Sequence, residues 1–401
     1  MSYEREFELL RERFGARGLD ADAVVDELAA LEIETPSWGY GDSGTRFQVF
    51  HWPGAARTVW ERIDDAALVH RLTGACPRVA LHIPWDRVDD FGALKSYAQE
   101  RGVGLGAVNP NLFQEEAYKL GSLCHPDPAV RRDALDHVLE CIKIVGEIGS
   151  RDLSLWLPDG TNYPGQDDFQ ARHQRLVYSL EEAYAALSDG MRMLVEYKFF
   201  EPAFYSMDLP DWGTSLLVCR KLGPKAQVLV DTGHHAHGVN IEQIVALLLQ
   251  EGALGGFHFN NRKYADDDLM VGSIDPFGLF LIMSEIVGAR RNPATAEAAA
   301  SVALMIDQNH NIESKIEAMV QSVVNIQLAY AKALIVDRER LLRAQREGDV
   351  LGAHGIVFDA FDTDVRPLLA RMREKLSVSP DPVQAFREGD HAAQRRSERE
   401  A

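Results

Sequence analysis

Apolar residues recur along this chain in two alternating rhythms. Over residues 3–34 they fall at helical spacing, with Phe7, Leu10 and Phe14 followed by Val24, Leu28 and Leu31. Pro36, Gly39, Gly41 and Gly44 end that region. Short apolar runs then alternate with helical stretches. The runs lie at 45–50, 78–83, 102–108, 152–157, 193–198, 226–231, 255–260 and 301–307. Between them, 129–149 carries Leu135, Val138, Leu139 and Ile142 on one stripe, and 241–251 and 276–287 read as further helices.

Eight strands alternating with helices predict an α/β fold with a parallel sheet, and the number eight favours a closed (β/α)8 TIM barrel. An open doubly wound sheet usually begins with a glycine-rich turn, and no G-x-G-x-x-G follows the first run. The expected organisation is an N-terminal helical segment over 1–44, a barrel over 45–330 and a C-terminal helical extension over 331–387. That extension, with helical patterns at 316–347 and 364–376, is expected to contact a neighbouring subunit. Residues 388–401 are polar and charge-rich and read as a disordered tail.

Strand alternation sorts the polar residues by face. Leu194, Glu196 and Lys198 share one side of their strand, as do Gly256, His258 and Asn260 on another and Ala303, Met305 and Asp307 on the last. Glu196, Asp231, His258 and Asp307 end the fifth to eighth runs, at the rim where barrel active sites lie. Any one of them could cap a helix or bind water. Together, buried carboxylates that converge need a cation or must take up protons. His234 follows Asp231 in a loop opened by Thr232-Gly233, and with Asp266 and Asp268 it could form a second site. Taken alone, Asp266–Asp268 would be a solvated acidic loop. His235 and His237 are weaker candidates, expected in supporting roles. Carboxylates plus imidazoles suit Mn²⁺, Co²⁺, Zn²⁺ or Mg²⁺. Asp-Thr-Gly also occurs in aspartic proteases, but those need two such loops in an all-β setting.

Lys198 faces the lumen beside Glu196, where an ammonium could hold a developing oxyanion or pair with Glu196 or Asp231. His82-Ile-Pro-Trp85-Asp86 ends the second strand and Trp156 ends the fourth, so their aromatic faces suit the apolar face of a sugar. Asn109 and Phe113 could shape the same pocket.

Composition narrows the ligand class. With 42 Lys+Arg against 61 Asp+Glu, the net charge of −19 disfavours nucleic acid and other polyanions. It is compatible with a neutral small molecule and retained cations. Cys76, Cys124, Cys141 and Cys219 show no C-x-x-C spacing and read as buried reduced thiols of a cytoplasmic protein. No signal peptide and no transmembrane run is evident, so no membrane partner is expected.

The segments Ala80-Leu-His-Ile-Pro-Trp-Asp86, Val195-Glu-Tyr-Lys198, Val230-Asp-Thr-Gly-His-His235, Gly256-Phe-His-Phe-Asn260 and Asp266-Asp-Asp-Leu269 resemble the L-rhamnose isomerase family, closest to its broad-specificity bacterial branch. The likeness runs from about residue 20 to the tail, including Thr363-Asp-Val-Arg-Pro-Leu368. It implies a homotetramer with two divalent cations per subunit, typically manganese. By position it implies that Glu196, Asp231, His258 and Asp307 hold the structural metal, and that His234, Asp266 and Asp268 hold the catalytic one. It also implies that Lys198, His82 and Trp156 meet the sugar and that Phe47 reaches a neighbour's pocket. The expected activity is aldose–ketose isomerisation of L-rhamnose and L-rhamnulose by a metal-assisted hydrogen shift between C1 and C2. Lys198, His234, Asp268 and Asp307 are the expected catalytic residues. A sugar epimerase on the same barrel and a non-catalytic metal-binding protein are the alternatives.

Overall fold

The computed structural model describes residues 3–42, 50–201, 204, 206–263, 268–309 and 312–400, and closes eight parallel strands into a barrel. These are β1 (Glu34–Pro36), β2 (Arg78–Ile83), β3 (Gly104–Pro110), β4 (Asp152–Leu155), β5 (Arg192–Glu196), β6 (Ala226–Asp231), β7 (Leu254–Phe259) and β8 (Ala303–Ile306). Each pairs with its neighbours in chain order, and Glu34 closes the ring by pairing with both Arg78 and Met305.

The first strand is not where the apolar pattern placed it. β1 starts at Glu34, ahead of the expected barrel start at 45, and residues 43–49 of the expected run lie outside the described residues. Phe50, at the end of that run, is exposed and belongs to no strand. β1 escapes a hydrophobicity search because it has only three residues, and its lumen-facing Glu34 is polar. That carboxylate is buried and accepts the Ala107 N–H at 2.8 Å.

Alternation along the strands divides the interior into two cores. Ala80, Ala107, Leu194, Leu229 and Met305 meet inside the barrel with Trp38. Leu81, Val108, Val195, Val230, Phe257 and Ile306 face outward into the larger core beneath the helices. The helices start where aspartates accept their free N–H groups. Asp90, Asp127, Asp168 and Asp211 do so for Phe91–Glu100, Pro128–Ile148, Phe169–Ala185 and Trp212–Leu222. Part of the acidic surplus therefore serves helix capping.

After β8 the buried helix Lys315–Leu334 covers the barrel, and Arg338–Glu347, Val350–Asp362 and Arg366–Lys375 follow. Within 388–401, which composition reads as a disordered tail, His391–Arg399 is helical. The buried Arg399 guanidinium donates to both oxygens of Asp65 (2.7 and 2.8 Å) and to the Gly54 carbonyl (2.8 Å). The charges that looked solvated have a buried counter-charge on the helix Val59–Thr73. Among the described residues, no single helix is long and apolar enough to cross a membrane.

Candidate functional site

β5 to β8 end side by side, and each delivers one polar side chain to the same rim. Glu196, Asp231 and His258 are the inward residues at or near their strand ends, and all three are buried. Asp231 and His258 are register partners. Asp307 follows β8, where its N–H continues the ladder to the Phe259 carbonyl at 2.9 Å. One ligand atom from each of these four residues lies within 4.8 Å of the others.

The contacts inside this cluster suit a cation better than internal pairing. His234 Nδ1 lies 2.9 Å from Glu196 Oε1, and His258 Nδ1 lies 3.1 Å from Glu196 Oε2 and 3.5 Å from Asp307 Oδ2. Yet no donor is aligned as a hydrogen bond on either Glu196 oxygen, nor any partner on His258 Nδ1, among the described residues. The ligand atoms lie close enough together to share one ion. Carboxylate oxygens and imidazole nitrogens in such an array fit a divalent metal. Electrostatics agree. Burial would raise the Glu196 carboxyl, but the His258 and His234 imidazoles hold it at about 2. Burial would lower His258, but Glu196 and then Asp307 raise it. The carboxylates thus favour positive charge beside them, which a protonated His258 supplies and a bound cation would supply in place of that proton.

Neutral donors fix the carboxylates from behind. The Asn260 amide donates to both oxygens of Asp231 at 3.0 Å, and the Gly233 N–H donates to Oδ1 at 2.6 Å. A side chain at Gly233 would meet Asn260 Oδ1 at 2.7 Å, so the turn after β6 needs glycine. Trp38, in the short turn Ser37–Tyr40 after β1, donates its indole N–H to Asp307 Oδ1 at 2.8 Å.

Aromatic side chains form the facing wall. His82 stacks on Trp85 with centroids 3.9 Å apart, Trp38 meets His82 edge-on at 5.6 Å, and Phe113 leans on Trp156 at 4.9 Å. Burial, followed by the charges of His137 and Arg62, lowers His82 to about 3. It is therefore a neutral hydrogen-bonding group and not an acid. The wall is anchored by Asp86, which accepts from Arg62 (2.6 Å), from the His82 N–H (2.7 Å) and from the Ser37 hydroxyl.

The cleft between the walls brings together most of the residues singled out in the sequence. Glu196, His234, His258, Asp268 and Asp307 line it on one side, and His82, Trp85, Asn109, Phe113 and Trp156 on the other. Asp268 adopts the left-handed region, with φ of 45°, which aspartate tolerates better than most residues. Asp266 and Phe47 lie outside the described residues. Lys198 is buried, its ammonium 5.2 Å from the Trp156 ring. It donates to Glu201, a partner the sequence reading passed over. His235 turns away to meet the Tyr197 hydroxyl at 2.6 Å, and His237 is exposed. Trp38, Ser154 and Asn309 also line the cleft and were not foreseen. Alternation could have found Ser154, two residues before Trp156. Nothing flagged Trp38, which follows a strand that the apolar pattern missed.

Comparison with known proteins agrees with this geometry. Residues 75–287 match the family described as xylose isomerase-like TIM barrel. A probable sugar isomerase of Rhizobium meliloti (strain 1021) is 46% identical over 99% of this chain and 93% of its own length. An L-rhamnose isomerase of Rhodopirellula baltica is 26% identical over 87% of this chain and 86% of its own. The crystal structure of a D-psicose 3-epimerase in the presence of D-fructose shares the fold, with a TM-score of 0.51 at 14% identity over 77% of this chain and 98% of that one. The chain belongs to the xylose isomerase-like TIM barrel family.

Proposed function

We propose that this protein is a metal-dependent aldose–ketose isomerase with L-rhamnose and L-rhamnulose as its first substrate pair. The observation that carries this reading is the two-walled cleft: oxygen and imidazole ligands on β5–β8 face an aromatic wall from β2–β4 across a space at the barrel mouth. A neutral sugar has hydroxyls for the first wall and an apolar face for the second. The similarity to the L-rhamnose isomerase of Rhodopirellula baltica supports the choice of sugar.

Glu196, Asp231, His258 and Asp307 would hold one divalent cation, and His234, Asp268 and Asp266 a second, with Mn²⁺ the first choice for both. When bound, the cations supply Lewis-acid polarisation of the C1 and C2 oxygens and a template for the hydroxyls. The protein supplies the rest. His82, Trp85 and Trp156 cover the sugar and exclude water from the reacting carbons. The Lys198 ammonium, paired with Glu201, faces negative charge that develops on a sugar oxygen. The family resemblance further supports assembly as a homotetramer, which sedimentation measures.

Protein stripped with chelator and resupplied with Mn²⁺ is expected to convert L-rhamnose to L-rhamnulose. Failure to convert any aldose of a panel, with metal bound, would sink the proposal. Product analysis separates an epimerase, which inverts a stereocentre without interconverting aldose and ketose.

A further inference from the structure

We infer that the Ser154 hydroxyl is a substrate contact that decides which sugars the cleft accepts. The inference rests on the sugar-isomerase reading above and assigns a specificity residue within that site. Ser154 lies on β4, pairs in register with the lumen residue Leu194, and sits two positions before Trp156, so it faces the interior. It is fully buried, it lines the cleft, and its Oγ has no hydrogen-bond partner among the described residues.

A buried hydroxyl left without a partner costs free energy that a ligand can recover. Ser154 is not alone in this. Trp156 Nε1 and His82 Nδ1 line the same cleft and also lack partners among the described residues. His82 lies on β2, Ser154 on β4 and Trp156 directly after it, across the barrel from the carboxylates of β5–β8. Together they offer a hydroxyl that donates and accepts, an indole that only donates, and a neutral imidazole nitrogen. None carries a fixed charge, and a neutral sugar hydroxyl can donate to or accept from each of them. A sugar held by its reacting end at the carboxylates presents its remaining hydroxyls to this wall, where sugars of different configuration differ. Ser154 is the smallest of the three and the deepest buried, so a hydroxyl that reaches it is read with little tolerance.

The test compares metal-loaded wild type with Ser154→Ala and Ser154→Cys on aldoses that differ one hydroxyl at a time, deoxy analogues included. Both variants are expected to raise KM about tenfold or more for the sugar wild type uses best, with kcat and bound metal little changed. The penalty should disappear for the analogue that lacks the contacted hydroxyl. Alanine keeps nearly the volume and loses the hydrogen bond, while cysteine is larger and keeps only a weak donor, so wild-type behaviour of Ser154→Cys would show that the hydroxyl is not what the sugar reads and overturn the assignment. Unchanged KM in both variants, with an active wild type, would overturn it while leaving the isomerase reading intact. If wild type neither converts these sugars nor is protected by them against heat, both fall together.

Discussion

Two of the three carboxylates of the centre are aimed by neutral donors: Asp231 by the Asn260 amide and Asp307 by the Trp38 indole. A carboxylate tied back by such donors keeps its remaining lone pairs in a set direction, and losing such a tie typically weakens metal binding 10–100-fold. Asn260→Ala and Trp38→Phe are each expected to lower Mn²⁺ affinity by about that factor while the protein stays folded. Calorimetric titration reads the change, and unaltered affinity would remove the aiming role. Glu34, at the opposite end of the lumen, makes a prediction about pH. Burial raises its carboxyl from 4.5 to about 7, which the Ala107 N–H only partly offsets. Between those values the folded protein keeps a proton that the unfolded chain has released, so stability falls as pH rises through that window. Glu34→Gln removes this slope. Relative to wild type, the variant should gain up to about 3 kcal/mol between pH 4.5 and 8, from about 1.36 kcal/mol per pKa unit. Parallel pH profiles in urea unfolding would refute it.

The elements differ in how much of them the sequence revealed, for physical reasons. β5, β6 and β8 were legible because each carries an apolar lumen residue below its acid: Leu194 under Glu196, Leu229 under Asp231 and Met305 under Asp307. Periodicity detects that alternation. β1 lacks it, with Glu34 filling the lumen position, and Trp38 was lost with it. The Lys198–Glu201 pair was hidden for another reason, since nothing in the local pattern distinguishes a buried acid from a solvated one. The C-terminal helix shows the same limit over a longer range. Its binding partner Asp65 is 334 residues away along the chain, and no window reports such a contact. Arg399→Ala would leave Asp65 buried with Arg395, at 2.9 Å, as its remaining ion-pair partner among the described residues. Removing one partner of a buried ion pair costs about 3 kcal/mol. Asp65→Asn should cost less once Arg399 is already gone, and the resulting coupling in urea midpoints identifies the pair as the clasp. Strictly additive effects would show that the two residues act independently.

At the scale of the molecule, the candidate metal-ligand cluster joins the ends of half of the barrel's strands. Its four ligands end four consecutive strands, β5 to β8, and three of them are buried. A cation held there binds the folded chain and not the unfolded one, so it stabilises by RT ln(1 + [L]/Kd), about 2.7 kcal/mol at a hundredfold excess over Kd. Chelator is therefore expected to lower the melting temperature, and Mn²⁺ to raise it progressively with concentration. The two ligand groups should respond differently. Asp268 and His234 come from the segments that follow β7 and β6, and their loss leaves all four strand-end ligands in place. Asp268→Asn or His234→Ala should abolish turnover yet retain one tightly bound cation and most of the Mn²⁺-dependent rise in melting temperature. Asp231→Asn should lose both, because Asp231 is fully buried among the strand ligands and shares its register with His258. Melting curves with metal analysis on the three variants distinguish these outcomes. If Asp268→Asn lost the thermal response as completely as Asp231→Asn, the division into a strand-borne site that holds the frame and a loop-borne site that turns over substrate would be wrong.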